Sequence, residues 1–425
     1  MQKNCPIQVY SEIGDIETVI LHSPGAEVEN MTPQNAERAL YSDILNLSVA
    51  SIEYNQLKGV LDKLCKTHEV KTLLCDILKQ EKTKEKLIKE ITRNESVDYL
   101  TDYLLELEEN ELTHQLIEGV MMDKKTLSSF LNKERFSMRP LHNFFYTRDA
   151  AFSVYDKVFI GKMASSVRLR ESLIMEAIFD YHPLFSNSTN THKTINPDKL
   201  LHNTQKIAIE GGDIHVARHD VILVGIGPRT TPQGVDFILG QLKAMNEYQH
   251  IIVQELPFAP ESFIHLDMVF TILDKDKCMI YEPVIMKMNK YQTVHIYAEG
   301  GKVKTIREAE NIPAALKYLG MDLQPILCGG SNDPWYQERE QWHSGANFFA
   351  TGPGKIIGYA RNSKTLEELN KYGMEIFKAS DVIKERVNLD DYSKYAITID
   401  GSELSRGGGG ARCMTMPVCR KQVSW

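Results

Sequence analysis

The text after residue 138 constrains the fold most, because short apolar, β-prone runs return there with helical segments between several of them. KVFIG at 157–161, VILVGIG at 221–227, HIIVQEL at 250–256, MVFTIL at 268–273 and KIIGYA at 355–360 are the clearest. Each is too short for an ordinary helix and rich in branched or aromatic side chains, which favours strands. Strands separated by helices predict an α/β architecture. Periodicity alone does not say whether they form one sheet, a barrel or a propeller of smaller units, and no repeat is evident in the letters.

Ahead of this region the text differs. GDIETVILHSPG alternates around Ile16, Val19 and Leu21 and stops at Pro24-Gly25, which reads as a strand ending in a turn. Thr32-Pro33 offers an N-cap with proline in the first helical position, and Ala36, Leu40, Ile44 and Leu45 recur at helical spacing. From about 76 to 137 the chain becomes charge-dense, leucine-rich and poor in glycine, with KEKLIKEI, VDYLTDYLLELEENEL and HQLIEGVMMDKKTLSSFL. Apolar spacing of three to four residues predicts several amphipathic helices. No polar constellation interrupts their stripes, so the block is assigned to architecture. The expected organisation is an α/β catalytic body over 1–75 and 138–425 with a helical subdomain inserted at 76–137.

Composition removes several classes of function. The chain has 49 Lys+Arg against 57 Asp+Glu, a net charge of −8, and lacks the basic footprint of a nucleic-acid binder. No window approaches the roughly 18 apolar residues of a membrane helix, and the first residues hold no signal-peptide core. A soluble cytoplasmic protein is expected. Seven cysteines without a CxxC pair fit neither a disulfide framework nor a thiolate zinc site, and point to a reducing compartment.

Polar clusters stand at the ends of the expected strands: Asn143 through Asp149 in NFFYTRD, Glu210-Gly211-Gly212-Asp213, His265-Leu266-Asp267, and Arg412 through Pro417. Alone, EGGD reads as a turn with two glycines at positive φ. Together the clusters supply a nucleophile, a proton shuttle and several carboxylates. Cys413 stands apart from the other six cysteines: Gly407–Gly410 precede it and Arg412 adjoins it, as expected of an accessible, electropositive thiol. The surplus of carboxylates, Asp149, Glu210, Asp213 and Asp267, suggests a cationic substrate. A guanidinium is the cation that paired carboxylates hold best. Arg168 in SVRLRES and Arg229 in GIGPRTT follow strand text and are placed to receive a carboxylate. A guanidinium at one end and a carboxylate at the other describes free arginine.

At this point the chain resembles the bacterial arginine deiminases, within the guanidino-group-modifying (pentein) superfamily. The likeness runs nearly end to end: SEIGDIETVILHSPG, MTPQN, the helical block, NFFYTRD, EGGD, GPRT, HLDMVF, EQWHSGAN and SRGGGGARCMTMP before a final tryptophan. The resemblance implies a five-bladed α/β propeller around one site, with the helical bundle inserted. It implies Cys413 as nucleophile, His265 as general acid and base, and Glu210 as the carboxylate that orients the histidine. Asp149 and Asp267 would grip the guanidinium, and Arg168, Arg229 and Asn143 would meet the other end of L-arginine. Hydrolysis would pass through a thiouronium on Cys413 to citrulline and ammonia, with no metal or organic cofactor, in a homo-oligomer.

Three departures from the family pattern mark this chain. His142 stands where proline is usual, and Tyr146 where phenylalanine is usual, adding a hydroxyl to a pocket wall. Gly408 occupies a loop position that carries arginine or methionine in some members, so any gating there would fall to Arg406 or be absent. The alternatives on the same scaffold are a citrulline-hydrolysing enzyme and an amidinotransferase. Two buried carboxylates facing an uncharged ureido group would lose their counter-charge, which disfavours citrulline.

Overall fold

The computed structural model describes residues 5–36, 41, 43–186 and 194–425. Five units share one arrangement, in which an antiparallel pair of strands takes a parallel partner on its second member, a full strand in four units and a single bridge in the other. Met416–Arg420 pairs with Ile16–Leu21, which runs parallel to Lys66–Glu69. Ala151–Val154 and Lys157–Ile160 form the next hairpin, with a parallel bridge from Phe159 to Ile195. Ile214–Arg218, Val221–Ile226 and Tyr248–Glu255 make the third unit. Phe270–Asp274, Lys277–Ile280 and Gln324–Leu327 make the fourth. Phe349–Gly352, Lys355–Tyr359 and Tyr395–Ile399 make the fifth. Two sheets continue past their third strand, one through Thr293–Glu299 to Lys302–Ala309 and the other to Glu375–Lys378.

The apolar runs read from the sequence fall on strands in all five cases. In MVFTIL the strand begins only at Phe270, because Leu266–Met268 closes a tight 3-10 turn first. Val221–Gly225 and Ile356–Tyr359 are buried throughout, as expected of strands covered on both faces.

Among the described residues Pro33–Ala36 is helical, starting where Thr32-Pro33 marks it; Leu40 lies outside the described residues, and Ile44 and Leu45 sit in irregular chain. The long helix runs over Leu47–Leu64 because Asn46 caps it, its side chain accepting from the Ser48 amide at 3.1 Å. The helical block begins at Val70, so the expected boundary at 75/76 falls inside the helix Val70–Leu78. Glu81–Asn94, Thr101–Glu106, Glu109–Glu118 and Leu127–Leu131 follow, and a short pairing of Val120–Met121 with Phe136–Met138 closes the block. Among the described residues, no helix is long and apolar enough to cross a membrane.

The block has no core of its own. Leu74, Ile88, Ile91 and Leu116 pack in one apolar cluster with Ile174 and Ile178 of the helix Leu169–Tyr181, and that cluster continues to Ala150 and Met416. Burial is therefore shared with the strands beside the polar clusters. Ile88→Ala should cost about 2–5 kcal/mol by leaving a cavity at a fully buried position. A lower urea midpoint at unchanged slope would be the reading.

Candidate active site

In every unit the segment just ahead of the first strand delivers polar side chains to one place. Asp149 precedes Ala151, Glu210 and Asp213 precede Ile214, His265 and Asp267 precede Phe270, Asn347 precedes Phe349, and Cys413 precedes Met416. Close approach is bought by glycine. A Cβ on Gly212 would lie 2.6 Å from the His265 ring, and one on Gly211 would overlap the Arg148 carbonyl. Neither glycine has positive φ, so the turn reading of EGGD is corrected: these positions need absence of a side chain, not a left-handed backbone.

His265 donates through Nε2 to Glu210 Oε2 at 2.9 Å, and its Nδ1 lies 3.8 Å from Asp149 Oδ1. Burial alone would lower the imidazole pKa. Asp149 and the Glu210 hydrogen bond outweigh burial and hold it above the ordinary histidine value. Burial likewise pushes Glu210 up, but the His265 bond and Arg229 bring it below the usual carboxylate range. Glu210 also accepts from the Ala164 amide at 3.0 Å. The pair is thus an imidazolium held against a carboxylate.

Asp149 and Asp267 are built alike. Arg168 reaches Asp149 Oδ2 at 2.6 Å, and Arg412 reaches Asp267 Oδ2 at 2.9 Å. The remaining oxygen of each, Oδ1, is buried without a hydrogen-bond partner. Each unmet oxygen costs about 1–3 kcal/mol. Cys413 Sγ lies 3.6 Å from Asp267 Oδ2 and accepts from Asn347 Nδ2 at 3.1 Å.

Cys413 itself corrects the expectation of an accessible, electropositive thiol. It is 4% exposed, and Arg412 turns from it to Asp267 and to a two-point contact with Glu12 at 3.1 Å. Burial pushes the thiol well above its ordinary pKa, and Asp267 and Asp149 add to the push.

The remaining expected residues divide. Arg168 is buried and saturated by Asp149 and Glu171, and it also donates to the Asn143 and Tyr146 carbonyls; it faces no open space. Asn143 is buried beside it. Arg229 lines a cleft above Glu210, its NH1 3.9 Å from Oε1, with Glu261, Trp342 and Gly407-Gly408 on the other walls. Arg406 is exposed on that rim and tied to Asp43 and Glu403. Tyr146 turns its hydroxyl to the Leu404 carbonyl at 3.3 Å, so it is not a polar group on the pocket wall.

Sequence reading missed Asn347, Glu171 and Glu12. Asn347 stands in SGANFF, two residues before a strand, like the other site residues, and that position was the available signal. Glu12 and Glu171 carried none, being buried counter-ions of arginines.

Asp149, Glu210 and His265 also bring three donor atoms within 4.8 Å of one another, the spacing of a metal site. Arg168 NH1 stands 2.6 Å from Asp149 and 3.9 Å from Glu210, and so already supplies a cation at that point. The donor set does not fit a resident metal.

The family model described as arginine deiminase matches residues 37–420. An arginine deiminase of Bacillus cereus (strain B4264) is 32% identical over 98% of this chain and 99% of its own. One from Oenococcus oeni is 29% identical over 100% of this chain and 99% of its own. Among solved structures, SxtG, an amidinotransferase from Microseira wollei, superposes with a TM-score of 0.54 at 12% identity, covering 99% of this chain and 98% of that one. The product-bound N-terminal domain of ArgZ, an arginine dihydrolase from cyanobacteria, gives 0.53 at 13%, covering 96% of this chain and 98% of that one. At those identities the structures speak for a shared mixed α/β fold alone. The sequence matches extend over nearly the whole length and include every polar cluster described above, and on them this chain belongs to the arginine deiminase family.

Proposed function

We propose that this protein hydrolyses L-arginine to L-citrulline and ammonia, with Cys413 as nucleophile, His265 as proton shuttle and Glu210 as its orienting counter-ion. One observation carries the reading: Asp149 and Asp267 each keep one buried oxygen without a hydrogen-bond partner, Asp267 reaching the Cys413 sulfur through its other oxygen and Asp149 lying beside His265. A guanidinium supplies N–H donors and positive charge to both at once. A neutral ureido group would leave the two carboxylates without a counter-charge. Arg229, on the cleft wall, is the residue placed for the substrate α-carboxylate.

Binding and activation are then one event. The carboxylates that keep the thiol protonated are neutralised by the substrate cation, so Cys413 ionises as arginine enters, its proton passing to solvent because His265 is already protonated. The thiolate attacks the guanidinium carbon, and His265 passes a proton to the departing nitrogen as ammonia leaves. A thiouronium on Cys413 remains. Water, deprotonated by the now neutral His265, adds to the same carbon, and collapse releases citrulline and the thiolate.

The five units of common connectivity support a five-bladed propeller with the helical block inserted between its first and second blades in chain order. Seven free cysteines support a reducing, cytoplasmic setting. A homo-oligomer remains part of the reading by resemblance.

Incubation with L-arginine should yield citrulline and ammonia in equal amounts, whereas agmatine and L-citrulline should be inert; ornithine from citrulline would overturn the assignment. Cys413→Ala should abolish turnover. Asp267→Asn should have two effects of opposite sign: arginine turnover collapses, while alkylation of Cys413 by neutral iodoacetamide at pH 7 accelerates, because a charge that raises the thiol pKa is gone. Slower alkylation would contradict the electrostatic account. Glu210→Gln removes a group that raises the His265 pKa, so the alkaline limb of the kcat profile should move to lower pH, and an unmoved limb would assign it to another group.

A further inference from the structure

The loop that leads to Cys413 is held from several sides. Glu53, in the helix Leu47–Leu64, accepts from the Ser402, Glu403 and Leu404 amides at 2.8, 3.0 and 2.8 Å. Tyr359 Oη donates to the Gly409 carbonyl at 2.9 Å. Tyr146 grips the same loop in two ways. Its hydroxyl donates to the Leu404 carbonyl, and its ring fills the space next to the loop backbone. A Cβ on Gly409 would lie 2.5 Å from that ring, and one on Gly407 would overlap the Tyr146 hydroxyl. Gly410 is closed in the same sense by Asn347 Oδ1 at 2.6 Å. Gly408 alone is open, with no atom within 4 Å of its Cβ direction, and its φ of +80° suits glycine.

The glycines and the tyrosine are therefore a matched pair. Side-chain volume that a loop residue would bring is supplied instead by Tyr146 from below. We propose that Tyr146 is a positioning residue for the nucleophile, its ring and hydroxyl setting the height of the Gly407–Gly410 backbone over Cys413 without touching substrate. Gly410 packs against Asn347, whose amide donates to Cys413 Sγ at 3.1 Å, so the loop height bears on the attacking group itself. Phenylalanine would keep the ring and lose the tie to Leu404. This inference rests on the arginine-hydrolysing reading and deepens it.

The test is kinetic. Y146F should lower kcat by about 2- to 10-fold, the worth of one buried hydrogen bond, with KM within about twofold of the parent. Its acid limb in the kcat profile should move to higher pH as the Asn347 donation to the thiolate loosens. G409A should lower kcat by about tenfold or more beside the native tyrosine, but by under about twofold in the Y146A background, because contacting residues couple. Should Y146A precipitate, Y146L carries the same comparison. An unchanged Y146F profile, or G409A costing the same in both backgrounds, overturns the proposal. Failure of the parent protein to release citrulline from arginine would instead sink the underlying reading, and the two failures are separable.

Discussion

Buried negative charge left half-compensated is the constraint on which the rest of this molecule depends. Asp149 and Asp267 are each secured on one oxygen by an arginine and open on the other. Removing such groups from water is costly, and an ion pair in the interior returns that cost only if the other donors and acceptors are also met. The requirement passes outward. Arg168 needs Glu171, Arg412 needs Glu12, and both outer carboxylates are themselves buried. Alternating charge thus runs from the centre into the scaffold, and the strands around it must exclude water for the two open oxygens to act strongly on a cation.

The same field treats the two groups proposed to react in opposite ways. It stabilises the charged form of His265 and opposes the charged form of Cys413. An imidazolium is the form that can release a proton to a leaving amine, so one effect is useful at once. On the proposed mechanism the other keeps the sulfur protonated until a cation enters between the carboxylates. Chemistry that depends on substrate to complete its electrostatics spares a thiol that would otherwise be open to oxidants or stray electrophiles.

Much of this was legible in the letters, for physical reasons. Period-two and continuous apolar runs report burial on a sheet, so the strands at 157, 221, 250, 268 and 355 were readable. Polar residues stranded at the ends of such runs have few structural uses, so Cys413, His265, Glu210, Asp149 and Asp267 stood out. Counter-ions did not. Glu12 meets Arg412 only because distant segments close on each other, and nothing local marks it. The helix marked by Thr32-Pro33 does begin there, but Ile44 and Leu45 lie in irregular chain ahead of the Asn46 cap, because helical spacing of apolar letters does not by itself make a turn continue. Adjacency also misled: Arg412 follows the backbone next to Cys413, yet its side chain points to Asp267. The recurring unit escaped notice because the repetition lies in connectivity, which leaves no common letters.

The placement of the added strands has a consequence for how such a chain can change. Glu210 sits ahead of the strand Ile214–Arg218, at one edge of its sheet, and Lys302–Ala309 lies at the other edge, four strands away. Asn347 and Glu375–Lys378 are likewise on opposite edges. In both of these sheets the added strands lie on the edge away from the proposed site. A scaffold of this kind separates an inner rim, where a single methyl group is too much, from an outer margin that accepts whole strands, so its periphery can be remodelled for new surfaces while its reaction stays fixed.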